Sequence, residues 1–192
     1  MTAVPTRAVR CLVALLALVG LAIGGCAKDS TNSDAVVSAP PISRSTPVSL
    51  AIPAINMSGS LIATGMTNDG RVQVPADYKQ ASWYQPGPAP GEKGSAVILG
   101  HVDNVAGPGV FIDLKKLKKG DTVDVKRADG KTAHFAVTDI QSYLKTDFPN
   151  QQVFGGRDQS QLQLVTCGGD FDAAARSYKS NVVVYSSLVS TT

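Results

Sequence analysis

Two side chains that could carry out covalent chemistry stand at the ends of apolar, strand-like runs. Cys167 ends the alternating run 162–166 and is followed by Gly168 and Gly169. Two glycines leave room for a substrate backbone and allow the positive φ of a sharp turn. Because a thiolate is a strong nucleophile, a cysteine placed in this way is a candidate for covalent catalysis. The alternative is a cysteine that only packs, since free cysteine is often buried.

His101 is the candidate acid or base for the same reaction. It follows the apolar run 97–99 and Gly100, so it also stands at a strand end. A histidine near a cysteine can activate the thiol and later protonate a leaving group. The alternative is a hydrogen-bonded loop histidine. The presence of one such histidine together with one such cysteine favours catalysis.

Three further side chains are of types that can serve in catalysis or binding. Arg176 lies nine residues after the cysteine, and a hairpin could bring its guanidinium back to hold a carbonyl or stabilise an oxyanion. His134 alternates with apolar neighbours and is predicted to lie on a sheet face. A zinc site from His101, His134 and Cys167 lacks the short paired spacing of known zinc sites, so neither metal nor cofactor is predicted. Trp83, the one tryptophan, is predicted to pack in the core or at its rim.

Short alternating runs predict the elements that must position these side chains. Eight strands are predicted, at residues 47–55, 60–64, 71–74, 95–99, 122–126, 134–142, 161–167 and 181–187. Asp129 and Gly130 give the strongest hairpin signal between them. Only residues 110–117 and a piece near 76–82 look briefly helical, and Pro53 indicates that the first strand lies at a sheet edge. The pattern favours a mainly β fold, a barrel or a sandwich.

The N-terminus resembles the leader of a bacterial lipoprotein. Arg7 and Arg10 precede an apolar run at 11–23, which is short for a membrane span but typical of a signal peptide. Small residues then precede Cys26, the predicted site of lipid attachment. We therefore predict a signal peptide at 1–25, a disordered Ser/Thr/Pro-rich tether at 26–46 and one domain at 47–192. The alternative is an uncleaved signal anchor.

Loss of this leader changes what the charge and cysteine counts imply. It removes two of the 18 basic residues and no acid, so 16 basic residues face 15 acidic ones. A nearly neutral protein without a basic stripe is not expected to bind nucleic acid. Of the three cysteines, one lies in the leader and Cys26 carries lipid, so Cys167 has no disulfide partner. A lone thiol outside the cytoplasm is a liability unless it is buried or used.

The chain resembles the sortase family, and within it the class F branch of actinobacteria. The matching stretches are Leu-Val-Thr-Cys (164–167), Gly-Gly (168–169), Phe-Asp (171–172), Asn-Val-Val-Val (181–184), Gly-His-Val-Asp (100–103), Trp-Tyr (83–84) and Gly-Pro-Ala-Pro-Gly (87–91). They occur in order and cover about residues 47–189.

The resemblance implies an eight-stranded sortase β-barrel with one or two short helices. It also implies a cysteine transpeptidase that cleaves a Leu-Pro-x-Thr-Gly-like sorting signal of surface proteins between Thr and Gly. Cys167 would form the acyl-thioester, His101 would protonate the leaving amine, and an amine such as a cell-wall precursor would release the product. Arg176 is our choice for the family's arginine, although Lys179 lies nearer the last strand. The protein would be held by lipid on the outer face of the cell membrane.

Two other functions stay open on the sequence. A hydrolase would use water in place of the amine at the same site. A lipoprotein that binds a peptide or wall fragment without turnover would need neither His101 nor Cys167, and the presence of both argues against it.

Overall fold

The computed structural model describes residues 38–192, and eight of their strands close into one barrel. The strands are β1 (Pro47–Ile52), β2 (Met57–Thr64), β3 (Ala81–Tyr84), β4 (Gly94–Leu99), β5 (Asp103–Asn104), β6 (Gly107–Pro108), β7 (Thr122–Arg127), β8 (Thr132–Leu144), β9 (Ser160–Asp172) and β10 (Ser177–Thr191). The one helix of these residues is α1 (Asn150–Phe154), and short 3-10 turns lie at Pro53–Ile55, Leu114–Lys116 and Lys145–Asp147. The predicted mainly β barrel is confirmed.

The barrel follows the order β1-β2-β3-β4-β9-β10-β8-β7 and closes through the pairing of β7 with β1. Two of the neighbouring pairs, β2 with β3 and β4 with β9, are parallel, and the others are antiparallel. Strands β5 and β6 form a separate two-stranded hairpin after β4. The parallel pairing of β4 with β9 matters for function, because it brings the carboxyl ends of these two strands to the same end of the barrel.

Side chains alternate between two apolar layers along the central strands. The inner layer fills the barrel and includes Ile98, Phe111, Leu162 and Leu164. The outer layer lies on the other face of β4, β9 and β10, where α1 covers it. Because β4 and β9 are buried on both faces, they can hold the residues at their ends in fixed positions.

The structure corrects the sequence prediction at the third strand. Residues 71–74 form no strand and contribute only an isolated bridge between Met66 and Val72. The barrel strand that the sequence prediction lacks is β3. It overlaps the piece predicted as helical and pairs in parallel with β2. Ala81, Ser82 and Trp83 are all buried, so the run has no apolar and polar alternation. A parallel pair also lacks the local turn signal of a hairpin.

Of three smaller predictions, the helix at 110–117 and the edge position of the first strand are wrong, and the hairpin is confirmed. The stretch 110–117 contains only the 3-10 turn Leu114–Lys116, and α1 lies where no helix was predicted. β1 is not an edge strand, because barrel closure pairs it on both sides and Pro53 only ends it. The predicted hairpin at Asp129 and Gly130 joins β7 to β8, and Gly130 has a φ of 83° there.

The described part of the predicted tether lies against the barrel. The backbone NH of Ala39 donates to Leu188, and that of Ile42 donates to Gly91, at 2.7 and 2.8 Å. The Arg44 guanidinium lies 5.1 Å from the centre of the Trp83 ring. Residues 39–46 therefore differ from the disordered tether expected from their composition, because the barrel supplies partners that composition does not reveal. Residues 1–37, with the predicted leader and Cys26, lie outside the described residues.

Arg127 binds residues 39–46 to the barrel, and its replacement tests how much this contact stabilises the fold. Its fully buried guanidinium donates to the carbonyls of Ser43 and Pro90 and pairs with Asp129 at 2.9 Å. Arg127→Met leaves these acceptors without their donor, so we expect the free energy of unfolding to fall by about 2–4 kcal/mol. Urea unfolding followed by tryptophan fluorescence measures this. The exposed neighbour Lys126 is the control, since Lys126→Met should change stability by less than about 0.5 kcal/mol.

No helix within residues 38–192 combines the length and the apolar character needed to cross a bilayer.

Candidate active site

The parallel strands β4 and β9 bring His101 and Cys167 to one end of the barrel, where both line the same pocket. Leu99 pairs with Val165 across the two strands, and the NH of Gly100 donates to the Val165 carbonyl at 3.2 Å. His101 is two residues after Leu99 of β4, and Cys167 is two residues after Val165 of β9. Cys167 shares a face of β9 with Val165, since side chains two residues apart on a strand point the same way, whereas His101 lies beyond the end of β4.

The predicted strand end at Cys167 is wrong, because β9 continues to Asp172 along β10 and only its pairing with β4 ends before the cysteine. A β-bulge follows one residue after Cys167. Tyr178 pairs with Phe171 and Ser180 pairs with Gly168, so two residues of β9 oppose Lys179 alone. Gly169, one of these two, has a φ of 74°, and a Cβ there would lie 2.9 Å from the Ser180 hydroxyl oxygen. Both observations require glycine. The second glycine after the cysteine thus permits the bulge.

The segment after β4 and the end of the β9–β10 hairpin form a pocket. It has a volume of about 510 Å³, and its lining includes His101, Asp103, Cys167, Phe171, Arg176 and Tyr178. Cys167 is partly exposed and free of a disulfide. The structure therefore brings together all three residues predicted to act in catalysis, although their roles stay predictions.

A backbone carbonyl orients the His101 ring. Nε2 of His101 lies 2.8 Å from the carbonyl oxygen of Pro75, in the loop between β2 and β3. A carbonyl oxygen can only accept, so Nε2 carries a proton in this contact and Nδ1 is the nitrogen left for proton transfer. Sequence analysis missed Pro75, since a backbone carbonyl contact leaves no mark in residue type.

Asp103 and Tyr178 link the two segments across the pocket. The Tyr178 hydroxyl donates to Oδ2 of Asp103, and this hydrogen bond is the main cause that raises the pKa of Tyr178. Partial burial and the nearby Asp103 charge raise it further. The phenol thus stays a donor at neutral pH. Neither residue was assigned a role from sequence, although Asp103 belongs to the Gly-His-Val-Asp stretch.

Arg176 and Lys179 differ in their relation to the pocket. Arg176 stands in the turn between β9 and β10 with a φ of 50°, and its side chain lines the pocket. Lys179 is exposed and is not part of the lining. The geometry thus favours Arg176, the residue chosen from sequence, as the cation near Cys167.

Glycine is the right replacement to test Arg176, because its backbone lies in the left-handed region. Arg176→Gly removes the guanidinium without straining the turn, and we expect kcat/KM for a sorting peptide to fall about 10²-fold. Arg176→Lys should recover little activity, since an ammonium lacks the planar fork. Lys179→Ala should stay within about twofold of wild type. The reverse pattern would assign the role to Lys179.

The remaining candidates lie away from the pocket lining. Trp83 is 2% exposed in the inner core, which confirms its packing role. His134 lies on the β7–β8 face, where Nδ1 is 2.7 Å from an Asp124 carboxylate oxygen and Nε2 is 3.0 Å from the Thr192 hydroxyl. His134 therefore does not join His101 and Cys167 at a common site.

Comparison with known proteins identifies the domain. The family model described as the sortase domain matches residues 50–189. Similar solved structures include sortase A of Listeria monocytogenes, with 17% identity, a TM-score of 0.58, and coverage of 78% of this chain and 90% of that one. Sortase A of Corynebacterium diphtheriae has 19% identity and a TM-score of 0.57, with coverage of 77% and 62%. Sortase C1 of Streptococcus suis has 18% identity and a TM-score of 0.59, with coverage of 76% and 74%. The search of curated proteins gave no match.

Proposed function

Because the chain belongs to the sortase family, and is thus a sortase transpeptidase, we propose that it acts outside the cytoplasm as a class F sortase. Its nucleophile is Cys167, its proton donor is His101, and Arg176 stabilises the oxyanion. The meeting of these side chains in one pocket, beyond the point where the pairing of β4 with β9 ends, is the observation that carries the proposal. The order of the motifs around His101 and Cys167 supports the class F assignment.

The proposed substrate is a surface protein with a Leu-Pro-x-Thr-Gly-like sorting signal. In the first step the Cys167 sulfur attacks the threonine carbonyl carbon, and a C–S bond forms as the C–N bond to glycine breaks. His101 gives its proton to the departing amine. An amine then attacks the thioester, forms a new C–N bond and releases Cys167.

The outer apolar layer supports the strands that carry the site. Val165 lies two residues before Cys167 on the same face of β9, beside Leu99 of β4, and both are 7% exposed. Tyr84 and Phe154, whose rings lie 5.5 Å apart, pack against the same layer. This packing holds β4 and β9 firmly beside the thiol, as a preorganised site requires.

Arg176 supplies the charge that the tetrahedral intermediate needs. Its guanidinium makes no ion pair within residues 38–192, so its donors are available to an oxyanion. A preorganised donor at the developing negative charge is usually a large contribution to catalysis.

Peptide cleavage tests the proposal. The full-length protein incubated with a Leu-Pro-x-Thr-Gly peptide should cut between Thr and Gly, and added glycinamide should appear at the new C-terminus. Cleavage that yields only the free acid at every glycinamide concentration would make the protein a hydrolase. No cleavage of any such peptide would contradict the proposed substrate.

Lipid attachment at Cys26 is a separate proposal about location. The small residues before Cys26 and the apolar run at 11–23 support it. Cys26→Ala should abolish the mass increase from lipid and leave the leader uncleaved, while peptide cleavage by the domain is kept. Unchanged mass and membrane retention would favour an uncleaved signal anchor.

A further inference from the structure

We propose that the pocket between the strand-end segments 101–105 and 171–178 receives the amine acceptor, and that Asp103 binds its ammonium group. This inference rests on the proposed function and assigns a ligand class to one part of that site. The acceptor is then a primary amine that arrives protonated, with a short apolar segment beside the nitrogen.

The position of His101 determines which side of Cys167 the acceptor enters. Aminolysis of the thioester is the chemical reverse of acylation at the reacting carbon, so the acceptor nitrogen occupies the space that the leaving amine vacates. His101 must reach both nitrogens, because it protonates one and deprotonates the other. The pocket lined by His101 and Cys167 therefore includes the position of the acceptor nitrogen.

Asp103 is the one acidic residue of this lining, and it is free to bind a cation. Tyr178 occupies Oδ2, whereas Oδ1 accepts no hydrogen bond from residues 38–192. Neither His101 nor Arg176, the cationic candidates of the lining, forms an ion pair with it. The Tyr178 hydrogen bond fixes the carboxylate, so the free oxygen is a preorganised acceptor for N–H donors.

Two exposed apolar side chains complete the pocket. Val105 is 100% exposed at the tip of the β5–β6 hairpin, and Phe171 is 56% exposed on β9. Both line the pocket with Asp103. An acceptor whose ammonium lies at Asp103 can therefore bury its adjoining carbons against them. A small primary amine such as glycinamide has a pKa of about 8, so it is mostly an ammonium at neutral pH.

The protons balance over the aminolysis step. The bound ammonium loses one proton to solvent and becomes the nucleophile. Its nitrogen attacks the acyl carbon and gives a second proton to neutral His101, while the C–S bond breaks and Cys167 leaves as a thiolate. The starting pair of thiolate and imidazolium is restored.

A cationic and a neutral acceptor distinguish binding of the ammonium charge from the aminolysis step itself. Glycinamide is cationic at pH 7, whereas hydroxylamine is mostly neutral there. With the full-length protein and a Leu-Pro-x-Thr-Gly peptide, Asp103→Asn should raise the KM for glycinamide about fivefold or more. Formation of the acyl-enzyme and the KM for hydroxylamine should stay within about twofold. Asp103→Glu keeps the charge and should recover most of the glycinamide affinity.

Asp158→Asn is the matched control for loss of one negative charge. Asp158 is exposed and precedes the start of β9, at the end of the strand opposite Cys167, so its removal should change neither KM. Equal KM values for glycinamide in wild type and Asp103→Asn would overturn the inference. An equal loss with both acceptors and in acylation would also overturn it, since Asp103 would then only hold the site together. Failure of the wild-type protein to form an acyl-enzyme would instead refute the proposed function.

Discussion

Cys167→Ala is expected to lower kcat/KM for a Leu-Pro-x-Thr-Gly peptide by at least about 10³-fold. No other described side chain of the pocket can form the thioester, so the loss should be nearly complete. Cys167 is partly exposed within β9, beyond the last residue that pairs with β4, and its truncation opens no core cavity. The free energy of unfolding should therefore change by less than about 1 kcal/mol. Peptide cleavage followed by chromatography, together with urea unfolding, measures both quantities.

Cys26→Ala is the control for a cysteine-to-alanine change outside the predicted domain. It should leave cleavage by the protein within about twofold of wild type. A Cys167→Ala protein that cleaves within tenfold of wild type would contradict the nucleophile assignment. A large loss of stability in Cys167→Ala would instead point to the packing role that free cysteines often have.

His101→Ala is expected to lower kcat/KM about 10²- to 10⁴-fold, because the leaving amine then departs without a proton donor. Added imidazole should restore part of this activity, since the small ring can occupy the space of the missing side chain. The rate of cleavage with and without imidazole is the measurement.

His134→Ala provides a control with the same change of side chain. His134 bonds Asp124 and Thr192 on the β7–β8 face, so cleavage should stay within about twofold of wild type. A loss in His134→Ala equal to that in His101→Ala would show that neither effect comes from proton transfer at Cys167.

Local patterns predict most of the barrel, and the exceptions have physical causes. β4, β7 and β9 are recognisable as short apolar or alternating runs bounded by turns. β3 is not, because both of its faces are buried and its partner β2 is reached through a long loop. α1 has only five residues, too few for a helical period to show in the sequence.

The candidate site also contains residues that the sequence pattern reveals and contacts that it does not. Cys167 and His101 are recognisable because each follows an apolar run and has glycine beside it. The contact between Asp103 and Tyr178 spans 75 residues, and neither residue type singles it out. The carbonyl of Pro75 that orients His101 comes from a loop backbone. Contacts of these two kinds depend on how distant segments pack, so only the folded chain reveals them.

The most direct test of the account is the mass of the protein after mixing with a Leu-Pro-x-Thr-Gly peptide and rapid acid quench. We predict an adduct equal to the peptide up to its threonine, mapped to Cys167 and released by hydroxylamine as the hydroxamate. Cleavage of the peptide with no adduct on Cys167 and no hydroxamate would contradict the covalent mechanism.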